Sequence, residues 1–409
     1  MALKPTPHRN PVLAKVLGGF ATLTAGLDYA ARGVTGLNFY SSRGDLEHVL
    51  TYRELRLSAL RTARKLLATG LERGERVAVV AETCPDFLAI FFGCQYAGLV
   101  PCPMPYSMYI GGRDAYVSRV AGMLKTARAS AVFGPSDLAS HIAEAAGIAG
   151  TGIVKTFAEL QAEPESIERL RPFEVDDVAY IQYSSGSTSS PKGVLITQKA
   201  IVANTRGILQ HGLTVTDEDR AFSWLPMYHD MGLVGFCLSP VMGQVTVDYL
   251  STPSFARRPA LWLRLMSENR NTIAYSPTFG FDLAARRING EAKTLDLSAW
   301  RVAGIGGDMV RADVLKLFAE KLSVAGFDAN AFTPSYGMAE STLAVAVTDP
   351  TEPVKVDTVD RLHYKLAQRA VPASDELKAV PELVRSFVVC GRPMAGHEVV
   401  IRNDAGETL

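Results

Sequence analysis

Short apolar runs that end in glycine- or serine-rich loops, each followed by a stretch of helical periodicity, recur along this chain. That alternation restricts it to parallel sheets covered by helices, an α/β architecture. Arg76-Val77-Ala78-Val79-Val80 reads as a buried strand, and Pro85 to Ala97 follows as a helix with proline in its first turn. Asp114 to Ala129 is amphipathic through Val117, Val120, Leu124 and Ala127, and Ala131-Val132-Phe133 is a strand closed by Gly134-Pro135. Val178 to Tyr183 reads as another strand. Thr272 to Tyr275 precedes a helix from about Phe279 to Arg287, and Val302-Ala303 enters a glycine cluster ahead of a helix at Ala312 to Leu322. Beyond Asp349 the periodicity weakens, and short β-like runs at Phe387-Val388-Val389 and Glu398-Val399-Val400-Ile401 suggest a smaller β-rich part.

The 409 residues suffice for two or three folding units with ample core. Hydrophobic residues at 47% and charged residues at 21% exclude a disordered chain. The 42 basic and 42 acidic residues cancel, which argues against a broad footprint for nucleic acid or anionic membrane. The apolar stretches Phe87 to Leu99 and Gly232 to Val247 are too short or too interrupted to span a bilayer, so no integral membrane segment is expected. Near the N-terminus, Phe20, Leu23, Leu27 and Ala30 or Ala31 recur at helical spacing before Arg32-Gly33, as in a surface helix with a glycine stop. The five cysteines show no metal-ligand spacing and read as reduced, buried thiols. A cytoplasmic location is expected.

The strongest local signal is Tyr183-Ser184-Ser185-Gly186-Ser187-Thr188-Ser189-Ser190-Pro191-Lys192-Gly193-Val194, in which five serines and a threonine surround a glycine. Small residues let the backbone approach an anion, hydroxyls and N–H groups donate to phosphate oxygens, and Lys192 adds a mobile charge. The order Pro191-Lys192-Gly193 is not that of a Gly-Lys-Ser/Thr loop, and a flexible serine-rich turn is the bland alternative. Trp224 to Gly232 sets His229-Asp230 between apolar residues. It is either a helix-capping turn with Asp230 as the cap or a titrating histidine beside an apolar channel. In Pro334-Ser335-Tyr336-Gly337-Met338-Ala339-Glu340-Ser341-Thr342, Tyr336 offers a flat face for a base. Glu340 is an acid suited to Mg²⁺ beside phosphate oxygens, or an exposed glutamate in a first helical turn. Gly304-Ile305-Gly306-Gly307-Asp308 is a glycine-rich bend after a strand.

In order and spacing these clusters resemble the adenylate-forming superfamily, whose members include acyl-CoA synthetases, luciferases and peptide-synthetase adenylation domains. Within it, Trp224 to Leu233, Ser276-Pro277-Thr278-Phe279-Gly280-Phe281-Asp282-Leu283 and Tyr336 to Leu343 look most like the fatty acyl-AMP ligases. Asp114-Ala115-Tyr116 and Leu50 to Leu55 match as well. Two departures stand out: Ser189 replaces a common glycine, and Gly306-Gly307-Asp308-Met309 replaces a usual Gly-Ala-Glu-Pro pattern.

The resemblance implies a large N-terminal adenylation body without a C-terminal lid domain. Its parts would be a first α/β subdomain over about 1–175, a second over 176–345, a family-specific insertion over 346–380 and part of a β-rich, distorted-barrel subdomain over 381–409. It further implies activation of a fatty acid by ATP with Mg²⁺, giving acyl-AMP and pyrophosphate, and transfer to the phosphopantetheine of an acyl carrier protein. Ser184, Ser185, Gly186, Ser187, Thr188 and Lys192 would hold phosphates, and Gly306, Gly307, Asp308, Ser335, Tyr336, Gly337 and Met338 the rest of the nucleotide. Thr188 and Glu340 would hold the metal. His229 would orient the carboxylate, and Lys192, His229 and Glu340 would carry the chemistry. Met231, Gly232, Leu233, Phe236, Ser276, Phe279 and Phe281 would line an acyl channel, with ordinary core packing as the alternative. A fatty acyl-CoA synthetase and an inactive nucleotide- or fatty-acid-binding relative are the rival functions. Without the lid and its lysine, weak or absent activity of this chain is expected.

Overall fold

The computed structural model describes residues 3–106, 111–184 and 192–408. They form two compact units. The first takes in the chain up to Gln210, then Thr214–Ala256 and Met338–Leu343; the second has His211–Leu213, Arg257–Gly337 and Ala344 onward.

In the first unit, strands β1 (Gly36–Tyr40) and β2 (Leu46–Thr51) are antiparallel. Strands β3 (Arg76–Val80), β4 (Val100–Met104), β5 (Ala131–Gly134) and β6 (Ile153–Thr156) form a parallel sheet in the order β4-β3-β5-β6. Their apolar runs are those of strands covered on both faces. Strands β7 (Val178–Ser184) and β8 (Lys192–Thr197) pair antiparallel, while β9 (Arg220–Ser223) and β10 (Thr246–Leu250) lie parallel to each other and β10 to β1. The helix Pro85–Ala97 is apolar all round, and every residue from Phe87 to Ala97 is buried, as expected of a helix inside a core. It packs on helix Tyr52–Ala68, which Thr51 and Glu54 start with a reciprocal capping box.

The N-terminal helix, Leu23–Ala30, turns its expected apolar positions Leu23, Leu27 and Ala30 inward and leaves Asp28 exposed, as a surface helix does. No boundary separates residues 175 and 176, contrary to the expected division. Gln95 Nε2 donates to the Ala179 carbonyl (2.7 Å), Gln198 Nε2 donates to Gln95 Oε1 (2.7 Å), and Arg73 pairs with Asp177 (2.6 Å), binding β7 into the first unit. A buried ion pair, Arg220 to Asp248 (2.6 Å), also ties in the N-terminal segment, since Arg220 Nη1 donates to the Thr6 carbonyl. Breaking such a pair on one side costs about 3–5 kcal/mol.

In the second unit, strands β11 (Ile273–Ser276), β12 (Val302–Ile305) and β13 (Phe332–Gly337) are parallel. Strand β14 (Ala344–Val347) pairs antiparallel with β13. The β-rich part contributes β15 (Val356–Asp360), β16 (Val384–Val388) and β17 (Arg392–Pro393). The β15–β16 ladder joins residues on both sides of the expected boundary at 380/381, so insertion and β-rich segment share one small sheet. Glu398 to Ile401 forms no strand: its valines and isoleucine are exposed, and among the described residues no strand pairs with them. The core holds an aromatic cluster of Trp262, Phe281, Trp300, Phe318, Phe327 and Phe332, mostly in edge-to-face contacts with centroids 5.0–6.2 Å apart. Among the described residues no helix is long and apolar enough to cross a membrane.

Candidate active site

Strand β7 is the platform of the first unit's polar cluster. Past a register shift between Val178 and Tyr180, its alternation sends Ile181 and Tyr183 one way, into the cluster that holds Val120, Leu124 and Val132. Tyr180, Gln182 and Ser184 share the opposite face. All three carry a buried polar atom without a hydrogen-bond partner among the described residues: Tyr180 Oη, Gln182 Oε1 and Ser184 Oγ. Such orphans are rare in folded proteins, and water or a ligand is the usual reason for them.

The chain leaves β7 at Ser184 and returns as β8 at Lys192, and these two residues are register partners. The hydroxyl-rich loop therefore connects two antiparallel strands instead of opening a helix. Ser185, Gly186, Ser187 and Thr188 lie outside the described residues, whereas Ser184 and the exposed Lys192 mark the mouth of the hairpin.

His229 sits in the turn that enters helix Asp230–Leu233. Its N–H donates to the Pro226 carbonyl (3.1 Å), and Gln182 Nε2 donates to the Tyr228 carbonyl (2.8 Å). His229 holds the N-cap position of this helix by its backbone, while the Asp230 carboxylate lies closest to the helix's open N–H. Asp230 Oδ1 lies 2.8 Å from His229 Nδ1 and accepts from the Met231 N–H at 2.7 Å, closer than the 3.3 Å from that N–H to Nδ1. The shorter contacts favour an Nδ1 proton facing Asp230, with Nε2 as the other nitrogen of the half-exposed ring. Tyr180 lies near Asp230, and burial first, then that carboxylate, holds its hydroxyl well above the usual phenol range.

Glu340 stands exposed on a 3-10 turn, Ala339–Ser341, that packs on β7. The Met338 N–H donates to the Leu343 carbonyl and closes the loop that presents it. Among the described residues no group of three or more His, Cys, Asp and Glu could cage a metal. The Glu340 carboxylate is open to solvent on a turn packed against β7.

Of the expected acyl-channel residues, Met231, Gly232, Leu233 and Phe236 lie on a continuous helical run, Asp230–Gly243. All four are buried. Gly232 has a backbone reason to be glycine, since a Cβ there would come within 2.2 Å of the Pro226 carbonyl oxygen. The run passes through a π-turn at Val234–Leu238. Pro240 has no N–H to offer the Phe236 carbonyl, and the Tyr249 hydroxyl donates to it instead (2.5 Å). Sequence patterning reads this stretch as a broken apolar segment and misses Tyr249.

In the second unit, Tyr336 and Phe279 are each more than half exposed, while Ser276 is buried and its hydroxyl donates to the Pro277 carbonyl. Met338, which belongs to the first unit, is also exposed. Gly306 lies against the Ser335 carbonyl, where a Cβ would sit at 2.8 Å, and Gly307 has a positive φ of 82°. Gly337 ends β13 at a register shift. Asp308 Oδ1 accepts from the Thr278 N–H (2.9 Å) at the start of helix Thr278–Arg287, a structural duty the sequence did not announce. Phe281, expected along an acyl channel, is fully buried in the aromatic cluster and has the contacts of a core residue.

Comparison with known proteins adds the following. The family model for AMP-binding enzymes matches residues 35–409. The chain is 45% identical over 392 residues to a putative acyl-CoA synthetase of Caulobacter vibrioides, covering 95% of this chain and 67% of that one. It is 30% identical to the medium-chain fatty acid–acyl-carrier-protein ligase JamA of Moorena producens, over 94% of this chain and 65% of the other. A structure from a study of fatty acyl-adenylate ligases of E. coli and L. pneumophila superposes with a TM-score of 0.93 at 41% identity, covering 97% of this chain and 71% of its own. The chain thus spans about two thirds of these curated relatives.

Proposed function

Because the chain belongs to the AMP-binding enzymes of the adenylate-forming superfamily, we propose that it is the adenylating body of a fatty acyl-AMP ligase. In this reaction a fatty-acid carboxylate oxygen attacks the α-phosphorus of ATP. The bond to the β-phosphate oxygen breaks, and pyrophosphate leaves with the electron pair. The chemistry depends on positioning and charge neutralisation more than on proton transfer.

The observation that carries the proposal is the gathering on β7 of a hydroxyl, a cation, an oriented imidazole and an open carboxylate. Ser184 and Lys192 stand opposite each other at the loop mouth, and the His229 turn and the Glu340 turn both meet the same strand. Lys192 would neutralise phosphate charge, with Ser184, Ser185, Gly186, Ser187 and Thr188 donating to phosphate oxygens. His229, its Nδ1 held by Asp230, would direct Nε2 at the carboxylate. Glu340 and Thr188 would hold Mg²⁺, which when bound spreads the charge of the phosphate oxygens. Gly306, Gly307, Asp308, Ser335, Tyr336, Gly337 and Met338 are assigned to the remainder of the nucleotide. The acyl chain is assigned to Met231, Leu233, Phe236, Ser276 and Phe279.

The likeness to JamA favours an acyl-carrier-protein thiol as acceptor, and the Caulobacter relative favours CoA. Pyrophosphate–ATP exchange that depends on fatty acid tests the adenylation step in the full-length enzyme. Acyl-AMP that persists beside unused CoA and is discharged by holo acyl carrier protein supports the ligase. Abundant acyl-CoA selects the synthetase, and no exchange selects a non-catalytic binder.

A further inference from the structure

The side chain of Gln182 is 1% exposed, and its one amide nitrogen serves two backbone carbonyls. It donates to Tyr228 O at 2.8 Å and to Tyr183 O at 3.3 Å. These carbonyls belong to the peptide bonds that lead directly into His229 and Ser184. From these contacts we infer that Gln182 is a positioning residue that aligns the His229 turn with the mouth of the phosphate loop. The inference rests on the adenylation function proposed above for its catalytic consequence, although the alignment itself does not depend on it.

Two observations separate this role from ordinary packing. Gln182 Oε1 is buried without a partner, so the side chain is not a self-satisfied bridge. Leaving such an atom unpaired is costly, a burden that a residue chosen for packing alone would avoid. The two carbonyls also differ in their support. Ser184 keeps its place through the β7–β8 ladder to Lys192, whereas the Tyr228 carbonyl takes its hydrogen bond from Gln182. Losing the amide therefore loosens the Tyr228 carbonyl that leads into His229, while Ser184 keeps its ladder to Lys192. The consequence falls on the carboxylate substrate rather than on ATP.

Gln182→Met keeps the volume and removes both donors; Gln182→Glu keeps the shape and sets a carboxylate against the Tyr228 carbonyl. In the full-length enzyme, kcat/KM for fatty acid in the exchange reaction is expected to fall about tenfold or more, with KM for ATP changed less than about twofold. In proton–carbon spectra of the histidine rings, the His229 signal is expected to move while those of His48 and His141 stay. Equal losses for both substrates that track a lowered melting temperature, or an unmoved His229 signal in a folded variant, would overturn the inference. Should the Met variant not fold, the Glu variant decides by the same criteria. If the wild type shows no exchange at all, the proposed function fails, and the His229 signal still decides whether Gln182 holds the turn.

Discussion

At the scale of single residues, burial and charge decide which side chains can change state. Glu82 follows β3, and its partial burial, followed by the charges of Asp137 and then Asp86, raises its carboxyl above the ordinary range against a lowering bond from Cys84. Below the unfolded carboxylate range both states hold the proton and nothing is lost. As pH rises through the raised folded value, the native state must carry a poorly solvated charge, so stability falls with rising pH. Glu82→Gln is therefore expected to raise the melting temperature at about pH 8 and to lose that gain toward about pH 4, measured by thermal unfolding across the range. The cysteines fit the sequence expectation in their chemistry: all five are free, and three are fully buried. Burial pushes the Cys102 thiol up to about 12, which keeps it inert.

At the scale of elements, local signals set where helices begin and end, and tertiary contacts set what happens inside them. Helices Pro85–Ala97 and Ala312–Leu322 run over the residues that patterning gives them. A proline at the first helical position and Gly98 just past the end bound the former by backbone geometry alone. The run Asp230–Gly243 is different. Pro240 makes a defect there, but the donor that heals it comes from Tyr249 on another strand. Tyr249→Phe removes only that hydroxyl, leaves Phe236 O without this bond, and is expected to cost about 1–2 kcal/mol in urea unfolding. Fatty-acid binding should weaken more than nucleotide binding, since the π-turn carries Phe236. The candidate site divides in the same way. Ser184, Lys192, His229 and Glu340 stand in short motifs whose chemistry is legible in the residue types. Gln182 and Tyr180 sit in a strand that reads as merely apolar, and their function depends on contacts with the segment around Tyr228 and Asp230.

At the scale of the whole molecule, the chain passes between its two units several times, so neither is one continuous segment. That is why the boundary near residue 175 that the resemblance implied does not survive: hydrogen bonds from Gln95 and Gln198 are invisible to any local window. The three tryptophans allow the units to be followed separately. Trp224 lies in the first unit, stacked on Phe255 at 3.7 Å, while Trp262 and Trp300 are in the second. In a Trp224→Phe background, intrinsic fluorescence reports on the second unit alone. Phe281→Ala is expected to lower that unit's stability by about 3–5 kcal/mol, read as a shift in the denaturation midpoint. If Phe281 were instead a wall of the acyl channel, a folded variant would show altered chain-length preference with little loss of stability.

By itself the amino-acid sequence determined the α/β class, most helices and strands and the candidate residues for the proposed chemistry. All of these follow from period, capping and residue type within a few turns of chain. Only the tertiary structure decided which motif residues serve the core, as Phe281 does, and which serve helix starts, as Asp308 does. It also decided that the Gln182 amide reaches the carbonyls of Tyr183 and Tyr228. The physical reason is the same in each case: a hydrogen bond or a packing contact depends on which partner arrives within a few ångströms, and partners distant in sequence leave no periodic trace.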